Sequence, residues 1–309
     1  MAVALTAFVV YQSHPSAILR ATAGADLRWI AFAIALVLVD RTLMALRWID
    51  LLSALTPGSR PRFGVILRIF FVSSFVSNFV PSVAADMYRA YALARHDVHL
   101  AESAASVLMD RVLGVLSMVI VGGCALMVVP QVLVERSVVV GLALAFAGCA
   151  VAALAVFNER AAAGILAAID KLPSRAVHRA SASLMDAVRR YARHHGELAR
   201  VLAMSIAVQG LRILQAWALG MAVGLTLPLA VYFVFMPIIL VIMQIPITVN
   251  GFGTTQVAFE RLFVRAGAPA PEVIALSFLF LILGLVGTLP GALLYAFGDT
   301  RPATRTGTS

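Results

Sequence analysis

Long apolar stretches dominate this sequence and limit it to one class of fold. They lie at about residues 29–49, 63–83, 103–129, 137–157, 201–222, 228–249 and 272–297. Each is close to the ~20 residues that an α-helix needs to cross a bilayer. Hydrophobic residues make up 61% of the chain and charged residues 13%, which is far from the balance of a soluble domain. We therefore expect an all-α, polytopic membrane protein whose residues 1–309 form a single integral membrane domain.

Two of these stretches are broken by proline and small polar residues, at 77–82 and at 244–253, and each break leads into a short charged helix. Irregular backbone at membrane depth is tolerated only where protein or a wet cavity surrounds it. Paired breaks of this kind indicate a binding site in transporter folds. We expect a re-entrant broken helix at each, with free backbone N–H groups facing an anion where the second half-helix begins. The candidate residues are Asn78, Asp86 and Arg89 at the first break and Asn250, Gly251, Gly253, Gln256 and Glu260 at the second. The alternative is that Asp86 only starts a helix and Glu260 only faces water.

The basic residues predict the orientation of the chain. The long polar stretch 158–200 is rich in arginine, and basic loops stay in the cytoplasm. We expect this stretch to lie on the inner leaflet as amphipathic helices, or else to be a solvated linker. Arg47 is expected to mark the cytoplasmic end of the first span. Counting spans from these loops places the C-terminal tail, 298–309, in the cytoplasm.

The two halves of the chain resemble each other at an offset of about 170 residues, as an inverted repeat would. Arginine recurs at 95 and 265, glutamate at 102 and 272, and glycine at 114 and 284; Arg41 matches Arg212 with one residue of slippage. The sequence therefore predicts two inverted halves, about 27–157 and 201–297, joined by the linker 158–200.

Several charged and polar residues lie inside the predicted spans. Arg212 is in the middle of 201–222, with Gln209 and Gln215 on the same helical face. A guanidinium in hydrocarbon costs at least about 2.5–3.5 kcal/mol, so it must face a cavity or a partner. One interpretation is a polar cavity that receives an anionic group such as a lipid phosphate. The other is that Asp40 or Asp110 forms an ion pair with an arginine inside the spans. Both interpretations can hold together. The candidate residues are Arg41, Asp110, Arg111, Gln209 and Arg212.

Other site classes have little support in the sequence. The net charge of +9 is concentrated in loops, as topology signals and contacts with anionic lipids are, so we expect no nucleic-acid partner. Cys124 and Cys149 lie in apolar stretches without ligand-like neighbours. We expect no disulfide, metal site or cofactor, and the sequence has no nucleophile elbow, P-loop or dinucleotide fingerprint.

At four places the sequence resembles the lysylphosphatidylglycerol synthase transmembrane-region family of flippase-like membrane proteins. These are Arg47-Trp48, the break from Asn78 to Arg89, Asp110-Arg111-x-x-Gly114, and the stretch from Pro246 to Glu260. The family commonly has two glycines where this chain has Ala84-Ala85, and glutamate where it has Gln256. The chain contains no transferase domain of the kind that the best-known family members carry, so the resemblance does not imply synthase activity.

The resemblance implies a protein of the bacterial inner membrane that binds and translocates an anionic or modified lipid, namely a phospholipid, a hopanoid-type lipid or a polyprenyl-linked lipid. Membrane lipids with anionic headgroups are the expected partners, together with a possible lipid-modifying enzyme. Two other hypotheses remain open at this stage. One is a membrane-embedded glycosyl- or phosphoryl-transferase that uses Asp86 or Asp110 as base or metal ligand, and the other is an accessory subunit of a lipid-modifying complex.

Overall fold

The computed structural model describes residues 23–56, 62–80, 82–96, 98–128, 147, 183, 185–244 and 253–296. The regular structure in these residues is helical, which confirms the predicted all-α polytopic fold. The helices are α1 (Leu27–Leu55), α2 (Phe63–Val76), α3 (Ser82–Ala94), α4 (Leu100–Val128), α5 (His195–Ala222), α6 (Leu229–Gln244), α7 (Thr254–Arg265), α8 (Ala270–Val286) and α9 (Leu289–Ala296), with a 3₁₀ turn at Tyr191–Arg193.

Four helical stretches are long and apolar enough to cross a membrane: Leu27–Leu55, Leu100–Ala125, His195–Ala222 and Ala270–Ala296. They coincide with four of the predicted spans. The last stretch contains a break that the sequence analysis did not predict, a turn at Gly287-Thr288 between α8 and α9. Apart from residue 147, the predicted span 137–157 lies outside the described residues. Helices α2 and α6 have 14 and 16 residues, so each rises only about 21–24 Å and is too short for a core of about 30 Å.

Both broken stretches fold as helical hairpins. In the first, Arg89 on α3 donates from Nε to the hydroxyl of Ser73 on α2 at 3.2 Å, so the two helices lie side by side, with the turn at 77–80 between them. In the second, the rings of Tyr232 on α6 and Phe263 on α7 are 5.0 Å apart. The tip of this hairpin, 245–252, lies outside the described residues. Hairpins are what re-entrant segments require, and their depth in the bilayer stays a prediction.

Helices α1 and α5 form an antiparallel pair along their whole lengths. At one end the Asp26 backbone N–H donates to the Ala222 carbonyl at 2.9 Å, and at the other Arg200 lies 2.9 Å from Asp50. Around this pair α4 packs on α6, and α9 packs on α2. Lengths also recur, with 29, 14, 13 and 29 residues in α1–α4 followed by 28, 16 and 12 in α5–α7. This order and these reciprocal contacts support the predicted inverted repeat, which stays a prediction.

The described end of the 158–200 stretch packs against the bundle. Val188 and Tyr191 are buried in a hydrophobic cluster with Leu51 and Met109. The Tyr191 hydroxyl donates to the Leu51 carbonyl at 2.9 Å. Burial, followed by the negative charge of Asp110, raises the pKa of Tyr191, so the hydroxyl keeps the proton that it donates. The described end of the stretch therefore packs on the bundle, and the predicted placement of 158–200 on the inner leaflet stays a prediction.

Candidate functional site

A seam between α1, α4 and α5 holds many of the buried and partly buried polar residues. On each helix its members recur at intervals of three, four or seven residues, which places them on one face. The seam consists of Asp40 and Arg47 on α1, Asp110, Gly114 and Ser117 on α4, and Ser205, Gln209 and Arg212 on α5. Because α1 and α5 are antiparallel, Arg212 faces Asp40 while Ser205 faces Arg47. The charged residues of the seam form two clusters.

The first, the Asp40 cluster, consists of Asp40, Arg41 and Arg212. Arg212 Nε lies 3.4 Å from Asp40 Oδ1, and Arg41 Nε lies 3.9 Å from Oδ2. The Asp40 side chain is 2% exposed, whereas both arginine side chains are 18% exposed. One carboxylate therefore serves two guanidinium groups that remain partly accessible.

The hydrogen bonds of these two arginines are weak. Arg212 and Arg41 donate to the Met44 sulfur at 3.2 and 3.8 Å, and a thioether is a weak acceptor. Arg41 also donates to the Gly284 carbonyl, at 3.5 Å. Among the described residues, Arg41 Nε and Asp40 Oδ1 are buried without a hydrogen-bond partner. The cluster thus holds strong donors whose protein acceptors are poor.

The break between α8 and α9 brings the end of α8 against Arg41. Gly284 belongs to the last turn of α8, where carbonyl groups lack intrahelical partners and the helix dipole is negative. A Cβ added at Gly287 would lie 2.8 Å from Val37 Cγ2 and 3.0 Å from Arg41 Nε. Glycine at 287 therefore permits the close approach that lets the helix end face this cation.

The second, the Asp110 cluster, consists of Asp110, Arg47 and Arg89. Arg47 contacts Asp110 Oδ1 from both Nε and NH2 at 2.8 Å. Its remaining terminal nitrogen donates to Ser205 Oγ at 3.0 Å. Short charge-assisted bonds of this kind are among the strongest in proteins. Arg47 consequently has stronger and closer hydrogen-bond acceptors than either arginine of the Asp40 cluster.

Arg89 completes the Asp110 cluster from the first hairpin. Its NH1 lies 3.6 Å from Asp110 Oδ2, too far for a good hydrogen bond. Its guanidinium lies 5.1 Å from the ring of Trp48 and 5.0 Å from the ring of Phe70, where cation–π attraction stabilises a desolvated charge. Trp48 is fixed in turn by donation from its indole nitrogen to Ser106 Oγ at 3.2 Å. The hairpin is thereby joined to α1 and α4 through one side chain.

Asp86 and Arg111 form a close ion pair beside the Asp110 cluster. They link α3 to α4, and both side chains are partly exposed. Together with the two clusters, this pair gives five arginines and three aspartates. Each cluster has two arginines and one aspartate, so each has a formal charge of +1. The described interior is therefore positive overall, and the predicted ion pairing coexists with unmatched cations.

The other predicted residues lie partly in the seam and partly outside it. Gln209 donates to Ser117 Oγ at 3.2 Å within the seam. Asn78 instead lies at the tip of the first hairpin and donates to Thr288 Oγ1 at 2.9 Å, in the α8–α9 turn. Asn250 and Gly251 lie outside the described residues.

At the second hairpin the expected free N–H groups are partly engaged. The Gly253 backbone N–H donates to Gln256 Oε1 at 2.7 Å, with Gly253 at φ 89°. Gln256 is fully buried and caps its own helix with this oxygen. Glu260 lies further along α7 and is partly exposed. One donor at the start of α7, the Gly253 N–H, is therefore engaged within the protein, and anion binding at this helix start stays a prediction.

Sequence reasoning missed the role of Arg47. It was expected to mark the cytoplasmic end of the first span, but α1 continues to Leu55 and Arg47 is buried in the Asp110 cluster. The available signal was its spacing, since it follows Asp40 by seven residues and shares a helical face with it. Ser73 and Ser205 gave no comparable signal, because serine is common in membrane helices for packing reasons.

These features define a polytopic helical membrane protein with two helical hairpins and a cation-rich interior seam. The chain belongs to the lysylphosphatidylglycerol synthase TM region family, whose sequence profile matches residues 1–291. No curated protein and no solved structure matches the chain. The family resemblance found in the sequence motifs is confirmed.

Proposed function

We propose that the protein binds the anionic headgroup of an amphipathic membrane lipid at the Asp40 cluster and translocates that lipid across the bacterial inner membrane. One observation carries this proposal. Arg41 and Arg212 share one carboxylate, remain partly exposed and otherwise donate to weak acceptors. An oxygen-rich anion would supply the acceptors that these guanidinium groups lack.

A phosphate group is the anion that this chemistry favours. Guanidinium groups present several N–H donors in a planar fork that matches phosphate oxygens, and such charge-assisted bonds are strong. A buried arginine is costly in a membrane protein and is a marker of a substrate path. The acyl chains of the lipid would stay in the bilayer while the headgroup follows the seam.

The hairpins offer a means of moving the headgroup. In this proposal they are re-entrant, and the inverted halves expose the seam to opposite sides in turn, with the C-terminal tail in the cytoplasm. The Asp40 cluster joins α1 to α5 and to the end of α8, so a shift between these helices changes access to its arginines. The bond from Asn78 to Thr288 connects the same α8–α9 turn to the first hairpin.

Arg212→Ala tests the site in proteoliposomes that contain fluorescent or enzyme-accessible lipids. Loss of a hydrogen-bonded charge contact costs about 1.5–3 kcal/mol, so translocation of the preferred lipid should fall about 10- to 100-fold. The matched control is Arg200→Ala, whose side chain is 61% exposed and pairs with Asp50 at the surface; it should transport like the unmodified protein.

Wild-type transport by correctly folded Arg212→Ala protein would remove the Asp40 cluster from the mechanism. No movement of any lipid by the unmodified protein would overturn the transport proposal itself. Product analysis with lipid-linked sugar donors would then test the transferase hypothesis, and co-purification would test the accessory-subunit hypothesis.

A further inference from the structure

We infer that Asp40 determines which headgroup charge the site accepts, by holding the Asp40 cluster at a formal charge of +1. This inference rests on the proposed function and narrows its substrate class to lipids whose headgroup carries a single negative charge, as a phosphodiester does. It assigns Asp40 a specificity-determining role in addition to its ion pairs.

The geometry of Asp40 differs from that of an aspartate that only neutralises an arginine. Asp110 receives two 2.8 Å contacts from Arg47, and these occupy the guanidinium edge. Asp40 instead lies 3.4 and 3.9 Å from its two arginines, and its Oδ1 accepts no hydrogen bond from the described residues. Asp40 therefore balances charge without a short hydrogen bond to either arginine, so their donors, which otherwise have only long or weak acceptors, can bind phosphate oxygens.

The charge balance then discriminates between headgroups. A monoanionic phosphodiester brings the cluster to zero, whereas a dianionic phosphomonoester brings it to −1. A cationic aminoacylated headgroup would bring it to +2. Uncompensated charge is costly in a low-dielectric interior, and like charges in contact oppose binding strongly. The Asp110 cluster, about 10 Å away along α1, is also positive and so adds to the rejection of cations.

The unmodified protein, two single variants and their double variant together separate the effect of cluster charge on lipid preference from the effect of residue identity. Asp40→Asn raises the formal charge of the cluster to +2, Arg212→Gln lowers it to 0, and the double variant returns it to +1. Each would be reconstituted in vesicles with phosphatidylglycerol, with phosphatidic acid at pH 8, or with lysylphosphatidylglycerol. Asp50→Asn and Arg200→Gln are matched controls at an exposed pair on the same two helices.

The unmodified protein should move phosphatidylglycerol in preference to both other lipids. Asp40→Asn should shift the ratio of phosphatidic acid to phosphatidylglycerol transport upward by about tenfold or more, because the dianion now neutralises the cluster. The double variant should restore the original preference at a lower rate, since one guanidinium is lost. The two control variants should keep the original ratio.

The inference is overturned if Asp40→Asn transports the three lipids in the original ratio, or if the unmodified protein prefers lysylphosphatidylglycerol. The second result would leave the transport proposal intact, so the two failures are distinguishable. If Asp40→Asn does not fold, as judged by size-exclusion chromatography, the decision comes from the lipid preferences of the unmodified protein and the double variant. Absence of all transport would remove this inference together with the proposed function.

Discussion

Removing the carboxylate of Asp110 should destabilise the protein more than any other single charge change in the seam. Arg47 and Arg89 both contact this one carboxylate, and Arg89 is also influenced by the more distant charge of Asp86. Asp110→Asn is nearly isosteric, so it removes the charge with little change in packing. It leaves two buried guanidinium groups without the carboxylate that both contact, and the formal charge of the Asp110 cluster rises from +1 to +2.

The size of the effect follows from the distances. At an effective dielectric constant of about 20, a 2.8 Å pair contributes about 6 kcal/mol of Coulomb energy and a 3.6 Å pair about 5 kcal/mol. The desolvation cost that all three groups carry offsets much of this gain. Removing one partner of a buried ion pair typically costs about 3–5 kcal/mol, because the remaining charge is left uncompensated. We expect Asp110→Asn to fall in that range.

Reversible unfolding in mixed detergent micelles, followed by circular dichroism, would measure the change. The surface control Asp50→Asn should cost no more than about 1 kcal/mol, since exposed ion pairs contribute little. Adding Arg89→Met to Asp110→Asn removes one of the two uncompensated charges. The double variant should therefore be more stable than additivity predicts, with a coupling of about 1–3 kcal/mol.

A neutral Asp110→Asn, or a strictly additive double variant, would refute this reasoning. Either result would mean that water or other groups already compensate the two arginines in the native state.

Two further predictions concern the contact between the first hairpin and the α8–α9 turn. Gly291→Ala should destabilise the protein by about 1–3 kcal/mol, because the added Cβ would lie 2.0 Å from the Phe71 carbonyl oxygen. The control in the same unfolding assay is Gly284→Ala, since the space around its Cβ is open. Equal effects of the two substitutions would contradict the packing argument. Asn78→Cys with Thr288→Cys, in a background without the native cysteines, should be bridged by a short bis-methanethiosulfonate reagent, because the native side chains approach to 2.9 Å. Transport should stop when the bridge forms and return on reduction, whereas either single cysteine variant should be unaffected. Transport through the bridged form would show that this contact need not open.

The large-scale architecture could be predicted from the sequence because hydrophobic length and helix breakers report on it directly. Four predicted spans were found as long helices, and the predicted break includes the turn at 77–80 that separates the two helices of a hairpin. Proline and small polar residues end a helix through local backbone effects that need no tertiary partner. The break at Gly287-Thr288 was not predicted, because glycine is common in packed membrane helices and is therefore a weak signal of a turn.

The candidate site was predictable in its residue types but not in its pairing. Charged residues inside apolar stretches are rare and stand out, which is why Arg212 and Asp110 were identified. Which aspartate contacts which arginine depends on how helices far apart in sequence are rotated against each other. Asp40 could have paired with either neighbouring arginine. Arg47 was placed at the cytoplasmic end of the first span because the end of its helix was predicted too early.

The two clusters differ in which parts of the chain they join, and this difference assigns them different roles. The Asp110 cluster takes its three charged residues from α1, α3 and α4, which belong to the first predicted half, although Arg47 also donates to the neutral hydroxyl of Ser205 on α5. The Asp40 cluster takes Arg212 from α5 and the Gly284 carbonyl from α8, so its charged contacts join the two predicted halves. Ion pairs within one predicted half can stay short while the halves move, and short contacts are what Arg47 and Asp110 show. A cluster between halves must tolerate changing distances, and the longer contacts of Asp40 suit that requirement. Substitutions in the Asp110 cluster should therefore act on folding, and those in the Asp40 cluster on transport.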